Sequence, residues 1–369
     1  MSLSFKDRIR RHLWLEDRYY KRAMKIAFYL LKPRFRSIYG RYLFKRGQTL
    51  DALASRAPLT RNLYFEVTNR CNAACSFCPY PDMERDKLVM PMDLFRNIID
   101  QYVMLGGRSV GFTPIVGDPM LDKFLFDRID YIDPISQIAN IGFYTNGIAL
   151  TAKKADRFME PRATTINLSI SFGGYDRETY HKVMGVDRYD AVARNVQYLL
   201  DRLREGKPDN LNVKIDYRFP EHISDQPLSF ALTRAKDDGL IRTDTLNGTF
   251  DTFGGRIDQE KLDRAESDFT LSYGIPKVGP CEILFWKPLI LADGRVNACA
   301  ERDLETTLII GDLKQESLKD ILYGQKMMAL VNRFYHRDQI PPVCKACTVY
   351  NTIHDSKSKI WKNDLNWAP

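Results

Sequence analysis

No stretch of this sequence approaches the ~20 consecutive apolar residues that a membrane-spanning helix needs; the longest apolar run near the N-terminus is Ile26 to Leu31. The opening residues, MSLSFKDRIRRHLWLED, carry charges throughout and contain neither an apolar h-region nor a small-residue cleavage site. No secretory signal is therefore expected, and a cytoplasmic location follows. Internal repeats and low-complexity tracts are also missing. Cysteine is scarce, with seven in 369 residues. An odd number cannot all pair, and disulfides do not persist in the cytoplasm, so clustered cysteines read first as metal ligands.

What is present is a soluble globular mixture, 28% charged and 44% hydrophobic. The length suits one large α/β domain of roughly 200–250 residues with a smaller appendage. Charge is unevenly spread: residues 1–46 hold 14 Lys and Arg against three acidic residues, and the rest of the chain is close to neutral. Within this basic segment (boundary set at 1–59), Asp17 to Leu31 places Tyr20, Met24, Phe28 and Leu31 on one face of a predicted helix that Pro33 ends. Arg34 to Arg46 then alternates basic with apolar residues. Such a segment can lie on an anionic membrane surface, grip nucleic acid, or pack its apolar stripe on the body of the protein with its cations solvated. Packing is the preferred reading, peripheral membrane contact through residues 1–46 comes second, and nucleic acid last.

From residue 60 to 246 a strand-then-helix rhythm is expected. Strands are predicted at 62–68, 109–113, 138–145, 165–171, 211–219 and, more weakly, 240–246, with helices at 92–105, 122–130 and 190–204. Six βα alternations point to an α/β fold, a parallel sheet curled into a partial (βα)6 TIM-like barrel, with functional groups gathered at the C-terminal ends of the strands. The rhythm breaks at the glycine-rich stretch Asn247 to Ile257. Residues 247–350 are expected to form a linker and a small second domain, and 351–369 a tail.

Cys71, Cys75 and Cys78 have the spacing C-x3-C-x2-C directly after the first predicted strand. Three thiolates on one loop can hold three irons of a [4Fe–4S] cube and leave the fourth open. The amino and carboxylate groups of S-adenosylmethionine (SAM) suit such an iron. A structural zinc site is the alternative, but zinc wants a fourth ligand and no other His or Cys lies nearby.

In these residues the chain resembles the radical SAM superfamily, whose signature is C-x3-C-x-aromatic-C; Phe77 fills the aromatic position, where the resemblance implies packing near the adenine. Val116-Gly117-Asp118-Pro119 resembles the family's Gly-Gly-Glu-Pro, which implies a cradle for the SAM amino group, although Val and Asp depart from the pattern. Thr145-Asn146-Gly147 closes the third strand as in relatives. The segment from Ser171 to Tyr180 implies that Ser171 approaches the SAM ribose and carboxylate. Arg218, late in strand five, could pair with that carboxylate.

Cys281, Cys299, Cys344 and Cys347 form C-x17-C-x44-C-x2-C, ligands for one closed cubane, with a β-hairpin predicted to turn at Asp293-Gly294. This pattern resembles SPASM/twitch auxiliary-cluster domains, particularly those of 2-deoxy-scyllo-inosamine dehydrogenase-type enzymes. A zinc ribbon is the alternative on spacing alone. Two [4Fe–4S] clusters and SAM are thus the implied cofactors, with an electron donor such as flavodoxin or ferredoxin.

Three plus four accounts for every cysteine, so no thiol remains to quench a substrate radical. Oxidation of an alcohol on a small sugar- or cyclitol-type substrate, free or lipid-linked, fits best, with the closed cluster accepting an electron. Epimerisation or decarboxylation, ribosomal-peptide maturation, and a nucleic-acid-binding or redox-relay iron–sulfur protein are the alternatives. Asp216, Tyr217 and Asp251 are candidate proton acceptors. His181 and His222 read as surface or capping residues.

Overall fold

The computed structural model describes residues 62–219, 225–245, 249–264, 269–272, 277, 279–334, 336 and 338–353. The basic N-terminal segment, His222 and the tail beyond residue 353 lie outside the described residues. Six strands follow in sequence: β1 (Asn62–Phe65), β2 (Ser109–Phe112), β3 (Asn140–Thr145), β4 (Thr165–Phe172), β5 (Leu211–Tyr217) and β6 (Arg242–Thr245). Each pairs in parallel with the next. The helices between them are α1 (Met92–Met104), α2 (Leu125–Ile132), α3 (Ala152–Phe158), α4 (Arg177–Met184), α5 (Tyr189–Gly206) and α6 (Pro227–Asp237).

Helix α1 forms because Phe95, Ile98, Ile99 and Tyr102 make one apolar stripe, and all four are buried. Helix α5 buries Val192, Val196, Leu199, Leu200 and Leu203 in the same way. Helix α2 starts later than the predicted 122, because Pro119–Leu121 turn as a 3-10 helix and Asp122 is committed elsewhere. Its carboxylate meets Arg128 at 2.7 Å with both side chains fully buried, and Arg128 also donates to the Met90 carbonyl. Helices α3, α4 and α6 are additions to the predicted set; α3 buries only Ala155 and Phe158, α4 only Tyr180 and Met184, and α6 Leu228, Ser229, Leu232 and Ala235.

Strand alternation divides the sheet into two faces. Ile166, Leu168, Ile170 and Phe172 of β4, and Leu211, Val213, Ile215 and Tyr217 of β5, are buried in the hydrophobic core with the helices. The opposite, lumenal face is polar: Asn167, Ser169 and Ser171 stand in register with Asn212, Lys214 and Asp216.

Beyond β6 come β7 (Thr249–Phe250), α7 (Gln259–Arg264), β8 (Thr270–Leu271), α8 (Ile283–Trp286), β9 (Leu289–Ile290), β10 (Arg295–Asn297), β11 (Ile309–Asp312), α9 (Leu318–Tyr323), α10 (Gln325–Arg333) and α11 (Pro342–Ala346). The predicted hairpin is present as β9 and β10, although Ile283–Trp286, expected as strand, is helical. Strand β9 pairs in parallel with β1, Tyr64 opposite Leu289 and Phe65 opposite Ile290. One open nine-stranded sheet therefore runs β11-β10-β9-β1-β2-β3-β4-β5-β6. The junction is reinforced by Arg85, which grips Glu66 with two hydrogen bonds of 3.0 and 2.7 Å and donates to the Leu304 carbonyl at 2.7 Å. No helix among the described residues is long and apolar enough to cross a membrane.

Candidate active site and its two cysteine centres

The loop after β1 is held from several sides. Asn69 exchanges hydrogen bonds with the Asp86 carbonyl and the Leu88 amide, and the Cys71 amide donates to the Tyr80 hydroxyl at 2.9 Å. From across the barrel, the end of α4 accepts the Ala74 amide on the Met184 carbonyl (3.1 Å) and the Ser76 amide on the Val183 carbonyl (3.0 Å). This approach explains Gly185. It ends α4 at φ +69°, and a Cβ there would lie 2.0 Å from the Ala74 carbonyl oxygen.

The three thiols are brought together at the C-terminal end of β1. Burial pushes Cys71 up to about 12 and raises Cys75 and Cys78 as well, and for Cys71 and Cys75 neighbouring thiol charge adds to the effect. Bare thiolates are thus disfavoured here, so a cationic group that takes them as ligands would supply the missing stabilisation. Among the described residues no three His, Cys, Asp or Glu side chains are grouped as a single-ion site. Two further groups lie at these sulfurs. Asn146 Nδ2 is 3.7 Å from Cys71 Sγ and 2.8 Å from Asn72 Oδ1. Tyr180 is buried, its hydroxyl lacks a protein partner, and after burial itself the charges of Cys75, Asp118 and Cys71 raise its pKa. Sequence reasoning passed over both as site residues, although each lies in a segment that carried the family resemblance.

The Gly117-Asp118-Pro119 turn lies beside the loop. Gly117 has φ +108°, and a Cβ would press on the Thr68 carbonyl and the Thr113 methyl at 2.8 Å. Asp118, expected to face the SAM amino group, instead turns into the protein. Its carboxylate accepts from the Met120 amide (2.9 Å), the Thr145 hydroxyl (2.9 Å to each oxygen) and the Asn146 amide (2.8 Å). Burial raises its pKa against the pull of these bonds. The Asp118 carboxylate thus ties the β2 loop to the end of β3.

Ser171, Arg218 and Phe77 converge. Arg218 Nε and Nη2 each lie 3.3 Å from Ser171 Oγ, its guanidinium carbon is 5.7 Å from the Phe77 ring centroid, and its charge opposes the rise at Cys75 and Cys78. Asp216 faces the same way and meets Arg218 at 3.2 Å and Lys214 at 3.3 Å. Tyr217, a candidate on sequence grounds, points to the other face, because neighbouring strand residues alternate. It is buried with Phe172, Tyr175 and Phe219, ring centroids 5.7–6.2 Å away. His181 is exposed on α4.

The other four cysteines are assembled from three segments. Cys281 bridges to Thr352, with the Glu282 amide on the Asn351 carbonyl (2.8 Å) and the Ile353 amide on the Pro280 carbonyl (3.1 Å). Asn297 Nδ2 holds the Cys299 carbonyl at 2.8 Å, and Cys344 and Cys347 lie on and just after α11. Burial pushes Cys281 up to about 12 and raises the other three, with mutual thiol charge contributing at Cys281, Cys299 and Cys344. Lys277 and Arg302 stand close enough to oppose the rise at Cys347.

Asp251 lies between the two sets. Its Oδ1 accepts from Arg302 Nε and from the Phe253 amide, both at 2.7 Å. Burial disfavours the charge on Arg302, but the Asp251 and Glu301 carboxylates outweigh it and raise its pKa. Asp251, like Asp216, is thus held by a cationic side chain.

Residues 65–213 match the model of the Radical SAM superfamily, and residues 281–348 match that of the SPASM iron–sulfur cluster-binding domain. GTP 3',8-cyclase of Pasteurella multocida (strain Pm70) is 24% identical over 178 residues, 47% of this chain and 50% of the relative. That of Staphylococcus haemolyticus (strain JCSC1435) is 26% identical over 233 residues, 59% and 64% of the two chains. The chain spans about half the length of the curated relatives it matches. Among solved structures, Streptococcus suis SuiB bound to precursor peptide SuiA aligns with a TM-score of 0.52 at 14% identity, covering 73% of this chain and 66% of that one. BtrN in complex with AdoMet and 2-DOIA aligns at 0.48 and 16%, covering 78% and 92%. The chain therefore carries a radical SAM domain followed by a SPASM domain. With them go a SAM-binding [4Fe–4S] cluster, an auxiliary [4Fe–4S] cluster and SAM; Cys71, Cys75 and Cys78 lie within the first matched range and the other four cysteines within the second.

Proposed function

We propose that the protein is a SAM-dependent dehydrogenase that oxidises an alcohol carbon of a sugar- or cyclitol-type small molecule. With cofactors bound, reductive cleavage of SAM supplies a 5′-deoxyadenosyl radical that takes a carbon-bound hydrogen atom, and the auxiliary cluster accepts the remaining electron. The proton of the alcohol goes to a base; Asp216, on the Ser171–Arg218 face, is the favoured candidate.

One observation carries the oxidative reading: a single short segment joins the two cysteine centres. Phe250 packs on Phe77 of the first loop in a tilted arrangement, ring centroids 5.4 Å apart. Asp251 then pairs with Arg302, and Thr252 bonds to the Thr348 hydroxyl (3.0 Å) and the Ala346 carbonyl (2.7 Å) beside Cys347. Arg302 is near enough to both centres to oppose the rise at Cys78 and at Cys347. A chain of packed side chains between two redox centres fits a reaction that ends by moving an electron from one side to the other. The full-length protein, reconstituted anaerobically, is expected to convert a member of a sugar and cyclitol pool to a product two hydrogens lighter. One 5′-deoxyadenosine should form per product, as read by mass spectrometry. A product of unchanged mass formed with SAM turnover would overturn the oxidative reading.

A further inference from the structure

Lys214 and Asp216 of β5, and Arg218 just after it, alternate onto the polar lumenal face and form one connected set. A single carboxylate oxygen, Asp216 Oδ2, lies 3.3 Å from Lys214 Nζ and 3.2 Å from Arg218 Nη2. The three side chains are only 11–18% exposed, so water and salt screen their charges weakly. Two cations thus share one anion, and the set carries a net charge of +1. A further carboxylate, Asp244, stands 4.0 Å from Lys214, but it is 67% exposed and its hold on the ammonium is slight. Lys214 is also fixed by an aromatic ring, its ammonium 5.4 Å from the Tyr144 centroid.

Arg218 extends this set to the first cysteine centre. It reaches Ser171 Oγ and the Phe77 ring, and its charge is felt at Cys75 and Cys78. A carboxylate-bearing ligand arriving at that centre therefore meets an arginine that already holds Asp216. Were Asp216 and Arg218 alone, the pair would be neutral. An incoming carboxylate would then have to displace Asp216 or stand beside it with one anion unmatched. Lys214 alters this balance. With it, cation and anion alternate from Lys214 through Asp216 and Arg218 to the ligand, and every charge has a partner.

We propose that Lys214 is a positioning residue for SAM: by holding Asp216 it leaves Arg218 able to receive the SAM carboxylate, acting through Asp216 and not on SAM itself. This rests on the reading of Arg218 as the partner of that carboxylate, which one arm of the experiment tests separately. SAM affinity is measured by calorimetry on the anaerobically reconstituted, oxidised full chain, where SAM binds without being cleaved, and iron is counted on every sample. Lys214→Met should weaken SAM binding about tenfold, and Lys214→Arg should keep most of the affinity. Asp216→Asn removes the anion that competes for Arg218. The double variant K214M/D216N should therefore recover what K214M loses, a rescue that mere loss of packing would not give. D216N alone should bind SAM at least as tightly as the unaltered chain, and this arm decides if K214M fails to take up iron. Arg218→Gln should weaken binding tenfold or more. Normal SAM affinity in R218Q would remove the reading of Arg218 and the proposal with it. Weak binding by R218Q combined with normal binding by K214M would leave Arg218 its role and overturn the inference about Lys214. So would a double variant as weak as K214M, or a D216N chain that binds SAM more weakly.

Discussion

The first three cysteines fall within one loop after β1, whereas the other four are drawn from segments between Cys281 and Cys347. The loop of the first set follows β1 directly, is tied to the 86–88 segment through the Asn69 side chain, and is held by the end of α4 through backbone hydrogen bonds. The second set has little regular framework of its own, since its strands are two to four residues long. There backbone hydrogen bonds join Pro280–Glu282 to Asn351–Ile353, and Asn297 holds the Cys299 carbonyl. The first three cysteines are thus set on a loop held between a strand and a helix end, and the other four on short segments tied to one another at their ends.

This contrast can be broken at several points. The largest effect is expected for Cys75→Ala, which should lower iron from about eight to about four per chain and reduce 5′-deoxyadenosine release to background. Cys344→Ala should cause the same loss of iron, but with a different structural outcome. Because ligand binding there is coupled to folding, limited proteolysis should open residues 280–350 and leave the barrel resistant. A C-terminal third as resistant as the wild type would contradict the comparison. Gly185→Val forces a β-branched residue to φ +69° and against the Ala74 carbonyl. A loss of about 2 kcal/mol or more is expected in denaturant melts, with iron leaving the first centre before the second. Arg302→Gln removes a cation felt by both Cys78 and Cys347, so both midpoint potentials should fall in EPR-monitored titrations, and Arg302→Lys should restore them. Asn146→Ala is the smallest: it removes the amide at Cys71 Sγ and should lower the first potential alone. A shift of both potentials, or of neither, would count against that assignment.

Much of the barrel was legible because its signals are local. Strands such as Thr165–Phe172 alternate apolar with polar residues, and α1 and α5 carry complete apolar stripes. Helices α3, α4 and α6 are short or carry only a partial apolar stripe, so their local signal is weak. The cysteines could be counted and sorted by spacing, but the groups around them are joined across long sequence distances: Asn146 to Cys71, Gly185 to Ala74, Arg302 to Asp251. Asp118 was legible as a motif position but not in its direction, which depends on the distant Thr145 hydroxyl. Tyr217 was misplaced only by the parity of its strand.

The pairing of β9 with β1 spans two residues on each strand, yet it decides how the chain can be divided. A barrel ended after β6 would leave Asn62–Phe65 as a bare sheet edge, its backbone groups free to recruit another copy. The C-terminal third is therefore the guard of that edge as well as the holder of a cluster. Exchanging it between related enzymes would succeed only where the incoming hairpin can continue the sheet along β1.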